Sequence, residues 1–210
     1  RRFSYFVPSE RPVPVRAMRF FDFLRQAGPA HHARLKGLSA ELDPDEAINI
    51  QFTSGTTGNP KGATLSHFNI VNNARFAAKS MALTHIDRMC IPVPLYHCFG
   101  MVLGVLSCTA VGAAMVFPGE GFDAAATLQS LQKQRCTALH GVPTMFIAML
   151  AEPTISNLDF SALRTGIMAG APCPVETMRA VMRTLNMTQI TIGYGMTETS
   201  PISFQSHISD

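Results

Sequence analysis

Ten consecutive residues, Thr53-Ser54-Gly55-Thr56-Thr57-Gly58-Asn59-Pro60-Lys61-Gly62, combine four hydroxyls, three glycines and a lysine. Glycine lets a backbone reach positive φ and approach an anion closely. Exposed N–H groups in such a loop form an anion-binding nest. The hydroxyls donate to phosphate oxygens, and Lys61 adds a mobile positive charge. The chemistry this favours is polyphosphate binding. The pattern is not the common P-loop, Gly-x-x-x-x-Gly-Lys-Ser/Thr. Pro60 precedes Lys61 and Gly62 follows it, so no hydroxyl stands there for magnesium. The plainer reading is a flexible surface loop; the flanking strand and helix patterns favour the site.

Further along, Tyr194-Gly195-Met196-Thr197-Glu198 places one acid in a short polar turn. A lone carboxylate beside a triphosphate repels it unless a hard cation lies between them. Taken by itself, Glu198 reads better as a solvated loop acid. His97, in Pro92-Val93-Pro94-Leu95-Tyr96-His97-Cys98-Phe99-Gly100, has two readings as well. By itself, a His in an apolar run is more often a hydrogen-bonded core residue than a functional one. Gly119–Ala124 imitates a dinucleotide fingerprint, but Glu120 would face the pyrophosphate and no acid follows at the required distance. A helix-entry loop is the better reading there.

The elements that must position these residues follow from periodicity. Ile48–Phe52 alternates as a strand does. A helix follows from about Ser66, whose side chain can cap the first turn, to Met81. Gly100–Val111 reads as a buried helix and Ala113–Phe117 as a strand. Asp123–Gln134 reads as a helix capped by Asp123, and Thr137–His140 as a strand. Pro143 suits the first turn of a helix over Val142–Ala151. Leu163–Met168, Pro174–Leu185 and Gln189–Ile192 read as strand, helix and strand. This alternation predicts an α/β fold, a mostly parallel sheet with helices on both faces. Ligands of such sheets bind beyond the carboxyl ends of the strands. The loops after Phe52, Met168 and Ile192 all fall there.

Three motifs in order, Thr53–Gly62, Gly170-Ala171-Pro172 and Tyr194–Glu198, resemble those of the AMP-forming adenylating superfamily. That superfamily includes acyl-CoA synthetases, luciferase and nonribosomal-peptide adenylation domains. The resemblance covers about Asp45 to Phe204. It implies that Thr53, Ser54, Gly55, Thr56, Thr57, Gly58 and Lys61 hold the pyrophosphate end of ATP. It implies that Gly170, Ala171 and Pro172 form the adenine-side turn and that Tyr194 packs on adenine, with Gly195 beside it. Thr197 would touch the AMP phosphate, Glu198 would hold Mg2+, and His97 would lie against the substrate carboxylate. Coenzyme A is the implied second substrate. No Asp occurs between Arg88 and Glu120 to hold a substrate amine, which favours a plain carboxylic acid. Phe99, Met101, Val102, Met145 and Met168 are candidates for an acyl tunnel or for ordinary core. The wording around the first loop is most similar to medium-chain fatty-acyl-CoA synthetases.

The family also uses a ribose-binding Asp, a hinge, a lysine on a mobile C-terminal domain, and a long N-terminal portion. No segment here resembles them. The expectation is an incomplete copy, inactive alone. Residues 1–46 form an irregular Pro-rich lead-in with one amphipathic piece, Met18–Ala27, and residues 47–210 form the nucleotide-binding part. A nucleotide-binding remnant without catalysis, a structural or partner-binding remnant, and an adenylating enzyme for another acid are the alternatives.

Composition narrows the rest. Charged residues are 15% of 210 and the net charge is +3, without the clustered basic face that nucleic acid requires. The five cysteines have no Cys-x-x-Cys spacing, so free thiols in a reducing compartment are expected. Met89–Gly119 contains no Asp, Glu, Lys or Arg, but Pro92, Pro94 and internal glycines argue for a buried segment rather than a membrane span. No targeting signal is visible, which points to the cytoplasm.

Overall fold

Alternate residues of the central strands face two different layers of helix. Met89, Ala138, Ile167 and Ala169 join one apolar core, and Cys90, Leu139 and Met168 join another. That period of two is what a strand buried on both faces produces. The computed structural model describes residues 3–5, 17–53 and 58–209.

The chain divides into two units between Asp43 and Pro44. In the first, β1 (Phe3–Tyr5) pairs in parallel with β2 (Ala17–Arg19). Two helices follow, α1 (Phe20–Leu24) and α2 (Pro29–Glu41). The sequence pattern gave an irregular lead-in here. Instead, Pro29 opens a 13-residue helix that carries good helix formers such as Ala, Leu, Arg and Lys. It buries none of its residues, so hydrophobic periodicity had no inward stripe to reveal.

The second unit begins with β3 (Ala47–Thr53) and β4 (Lys61–Ser66), an antiparallel hairpin forming its own two-stranded sheet. α3 (His67–Ser80) follows; Ser66 Oγ caps it by accepting from Asn69 N at 3.2 Å. Next come β5 (Arg88–Cys90), a π-helical segment (Phe99–Leu106) running into α4 (Ser107–Val111), and β6 (Ala114–Val116). Then α5 (Ala124–Lys133) starts at Asp123, whose Oδ1 accepts from Ala126 N at 2.7 Å. β7 (Ala138–Gly141), α6 (Pro143–Leu150), β8 (Thr165–Ala169), α7 (Val175–Thr184), β9 (Gln189–Gly195) and β10 (Ile202–Gln205) complete the unit.

The main sheet has the order β10-β9-β8-β7-β5-β6. All its neighbours are parallel except β10 against β9. α3, the π-helical segment and α4 supply residues to one core, and α5, α6 and α7 to the other. This is the expected mostly parallel α/β sheet with helix on both faces. One strand departs from expectation. β3 is outside the main sheet, and its alternation is inverted. Gln51 is buried, whereas Ile48, Ile50 and Phe52 are 51%, 61% and 77% exposed. Alternation identified the strand correctly, but it could not say which face the body of the unit covers.

The amino-terminal rim of the sheet is tied by one acid. The Asp87 carboxylate is 3% exposed. It receives Arg164 Nη2 at 2.9 and 3.0 Å, Thr137 Oγ1 at 2.7 Å and Thr84 N at 2.8 Å. Burial pushes its pKa up, but these donors and the Arg164 charge more than offset that and hold it below the usual value.

Candidate functional site

The opposite rim carries a cleft of about 730 Å³, within the range of small-ligand sites. Four pieces of chain build it. They are the end of β3 (Gln51–Thr53), the loop after β5 (Tyr96–Phe99), the end of β8 (Ala169, Gly170), and the stretch from Gly193 to Ile202. The pieces after β5, β8 and β9 follow the carboxyl ends of main-sheet strands, as open parallel sheets place their ligand sites; β3 contributes from its separate hairpin and Leu103 from the π-helical segment.

His97 reaches the cleft through a tightly packed loop. Gly100 makes this possible, since a Cβ there would lie 2.3 Å from the Pro94 carbonyl oxygen. Phe99 N donates to His97 Nδ1 at 3.0 Å. Nδ1 therefore carries no proton, and the neutral ring has its N–H on Nε2. Partial burial lowers the His97 pKa. The ring thus offers a neutral donor suited to a carboxylate oxygen. Beneath it, fully buried Cys98 brings Sγ 3.7 Å from Thr197 Oγ1 and 3.8 Å from His97 Nδ1. Burial raises the Cys98 pKa, so it acts as a neutral spacer between two loops.

The turn Thr197–Thr199 is a short 3₁₀ segment after β9. It closes back on the sheet at Gly195, where a Cβ would sit 1.9 Å from the Pro201 carbonyl oxygen. Thr197 is half-buried and Glu198 exposed. Among the described residues, no cation pairs with Glu198, and no cluster of three His, Cys, Asp or Glu can hold a metal. One free carboxylate is a fitting donor for Mg2+ whose other ligands are nucleotide phosphates and water, because Mg2+ is commonly bound that way. It does not fit a resident metal cage.

The cleft brings together Thr53, His97, Gly170, Gly195, Thr197 and Glu198 of the residues singled out in the sequence. Ser54, Gly55, Thr56 and Thr57 lie outside the described residues. Gly58 and Lys61 are exposed, and Lys61 opens β4 opposite Thr53 in the hairpin register. Neither lines the cleft, nor do exposed Ala171 and Pro172. Tyr194 is 65% exposed; strand alternation turns it to the face opposite Gly193 and Gly195. Of the apolar candidates only Phe99 lines the cleft, joined by Leu103 and Ile202, whereas Val102 and Met168 are buried core.

Behind the wall formed by Phe99 and Leu103 lies a residue that sequence reasoning treated only as strand. His140 is fully buried. Its Nε2 lies 2.9 Å from Leu103 O, and its Nδ1 accepts from Ile167 N at 3.2 Å. Its ring stacks at a tilt on Phe99, centroids 5.4 Å apart. A histidine in an otherwise apolar strand was the available signal. Burial drives its pKa from the usual 6.5 down to about 4, although the bond to Leu103 opposes the shift. Between those values the unfolded chain takes up a proton and the native one does not, so acidification favours unfolding. Unfolding free energy should therefore fall by about 3 kcal/mol from pH 7 to pH 4 on account of this group. Denaturant titrations at stepped pH check this. A flat profile above pH 4.5 would overturn it.

Residues 10–210 match the AMP-binding enzyme family. The chain belongs to that family. Among its relatives, it is 50% identical over 182 residues to the acyl-CoA ligase sidI of Aspergillus fumigatus, covering 87% of this chain and 30% of that one. It is 48% identical over 185 residues to the mitochondrial medium-chain acyl-CoA ligase ACSF2 of Danio rerio, with coverage of 87% and 30%. ATP-bound MatB from Rhodopseudomonas palustris superposes with a TM-score of 0.71 at 28% identity, over 80% of this chain and 33% of MatB. The chain thus spans about a third of the length of these relatives.

Proposed function

We propose that this AMP-binding segment is the nucleotide-binding part of an ATP-dependent acid–CoA ligase. It would activate a fatty acid, of medium chain length, to an acyl-adenylate and then to acyl-CoA. The observation that carries the reading is the cleft itself. Its lining includes His97, whose N–H is on Nε2, Thr197, Thr53 at the start of the hydroxyl- and glycine-rich loop, and Glu198, which has no cation partner among the described residues.

In this reading the loop from Thr53 to Lys61, including Ser54, Gly55, Thr56, Thr57 and Gly58, cradles the β- and γ-phosphates. Thr197 donates to the α-phosphate, and Glu198 holds the Mg2+ that arrives with ATP and neutralises phosphate charge. Gly170, Ala171 and Pro172 with Tyr194 and Gly195 form the adenine side. His97 orients the substrate carboxylate, whose oxygen attacks the α-phosphorus while pyrophosphate leaves. The thiolate of coenzyme A then attacks the acyl carbon and AMP leaves. The protein's part is chiefly positioning and charge stabilisation. The cleft wall of Phe99, Leu103 and Ile202 suits an alkyl chain, and the name of the Danio rerio relative supports the medium-chain assignment.

The 210 residues span about a third of the acyl-CoA ligases they resemble, and the expected result for them alone is MgATP binding without formation of acyl-CoA. No helix among the described residues is long and apolar enough to cross a membrane. We place the protein in the cytoplasm, against the mitochondrial location in the ACSF2 name; fractionation separates the two.

Calorimetric titration tests the reading. The wild-type chain should bind MgATP, and Lys61→Ala should weaken it about tenfold, the loss of one charged hydrogen bond to phosphate. Equal affinities would remove the loop assignment. In the longer polypeptide, pyrophosphate release should require a fatty acid; release without one, or none at all, would leave only a nucleotide-binding module.

A further inference from the structure

The turn that carries Thr197 and Glu198 leaves the sheet at Gly195 and returns at Ile202. β10 is a poor anchor for that return, because its pairing with β9 shifts register between Ile202 and Phe204. The anchor comes from another element. Asn73, in the middle of α3, donates from Nδ2 to Ile202 O at 2.7 Å and to Thr199 O at 3.3 Å. Its Oδ1 accepts from Ile202 N at 3.1 Å. Both amide hydrogens and the amide oxygen are thus engaged with backbone, as a neighbouring strand would engage it.

The turn is also closed from within. Thr199 Oγ1 accepts from Met196 N at 3.1 Å and lies 2.9 and 2.8 Å from the carbonyl oxygens of Met196 and Pro201. What this internal closure cannot do is fix the turn relative to the rest of the cleft. Asn73 does so from a helix entered directly from β4, the strand that Lys61 begins. β4 itself lies against the Thr197–Thr199 turn.

We propose that Asn73 is a positioning residue that sets where Glu198 stands relative to the Lys61 hairpin, and so sets magnesium affinity in the MgATP complex. This rests on the reading of Glu198 given above. A merely structural Asn73 would matter only to folding.

The test is a Mg2+ titration at fixed ATP, read by calorimetry on the 210-residue chain. Asn73→Asp preserves size but turns an oxygen towards two carbonyl oxygens, and Asn73→Ala removes the clamp. In both, the Mg2+ midpoint should rise about tenfold, the usual effect of losing a partner that orients a metal ligand. ATP affinity in EDTA should stay unchanged. A folding defect alone lowers the amplitude and not the midpoint. Adding Asn73→Asp to Glu198→Gln should move the midpoint less than twofold further, since the two act through one ligand. Unmoved midpoints in both single variants, or additive effects in the double variant, would overturn the proposal while wild-type binding keeps the nucleotide reading intact. Absence of magnesium-dependent binding in the wild type would overturn both.

Discussion

Replacing Glu198 by Gln should weaken MgATP binding about 100-fold and leave metal-free ATP binding unchanged. The carboxylate is exposed and, among the described residues, unpaired with any cation. Its negative charge is therefore not consumed by the fold and is available to a hard cation. Partners that merely orient a metal ligand are worth 10–100-fold in affinity, so removing the charge of the ligand itself belongs at or above the top of that range. The amide is nearly isosteric, and the thermal midpoint should hardly move. Calorimetry with and without EDTA checks this. An unchanged MgATP affinity would return Glu198 to a solvated loop acid, and the turn at Thr197–Thr199 would need another purpose.

The second large effect lies at the other end of the sheet. Asp87→Ala should destabilise the chain by about 3 kcal/mol, because it leaves Arg164, only partly exposed at 31%, without its counter-charge and two donors without an acceptor. Arg164 Nη1 and Nη2 would keep Gln189, Met81 and Ala82 as acceptors, but no counter-charge. Thr137 Oγ1 and Thr84 N would lose theirs too. A loss of that size is a large fraction of a typical domain's stability. The denaturant midpoint should fall with an unchanged slope. MgATP affinity of the folded fraction should stay within about twofold, because the cleft is on the opposite rim and distant sites act independently. A shift in affinity comparable to that of Glu198→Gln would contradict this separation of stability from binding.

The two predictions together describe a molecule whose amino-terminal rim holds the strands and whose carboxyl rim holds the ligand. His140 stands between them. It joins the π-helical segment to β7 and β8, and its burial ties the stability of that junction to pH. The π-helical turn itself is a rare element that tends to mark functional sites. Here it packs Phe99 and Leu103 under the His97 loop.

How much of this could be read without coordinates depended on how local the cause was. Helix starts at Ser66, Asp123 and Pro143 were legible because capping and a fixed φ act within one turn. The parallel sheet was legible because strands buried on both faces alternate with amphipathic helices. The hydroxyl- and glycine-rich character of Thr53–Gly62 was visible in residue type and spacing, and the Thr197–Glu198 turn stood out only by its resemblance to a family motif. Other features had long-range causes. β4 and β10 are short edge pieces without a strong apolar pattern, and only pairing defines them. The outward face of β3 depends on what packs against Gln51. The Asp87–Arg164 pair spans 77 positions and the Asn73 clamp 126 and 129, separations at which sequence carries no signal of contact. Sequence alone determined which residues are candidates for binding a nucleotide and which elements carry them. Tertiary structure decided which of them share a cleft, because bringing distant loops to one rim is a property of strand order rather than of any local run of residues.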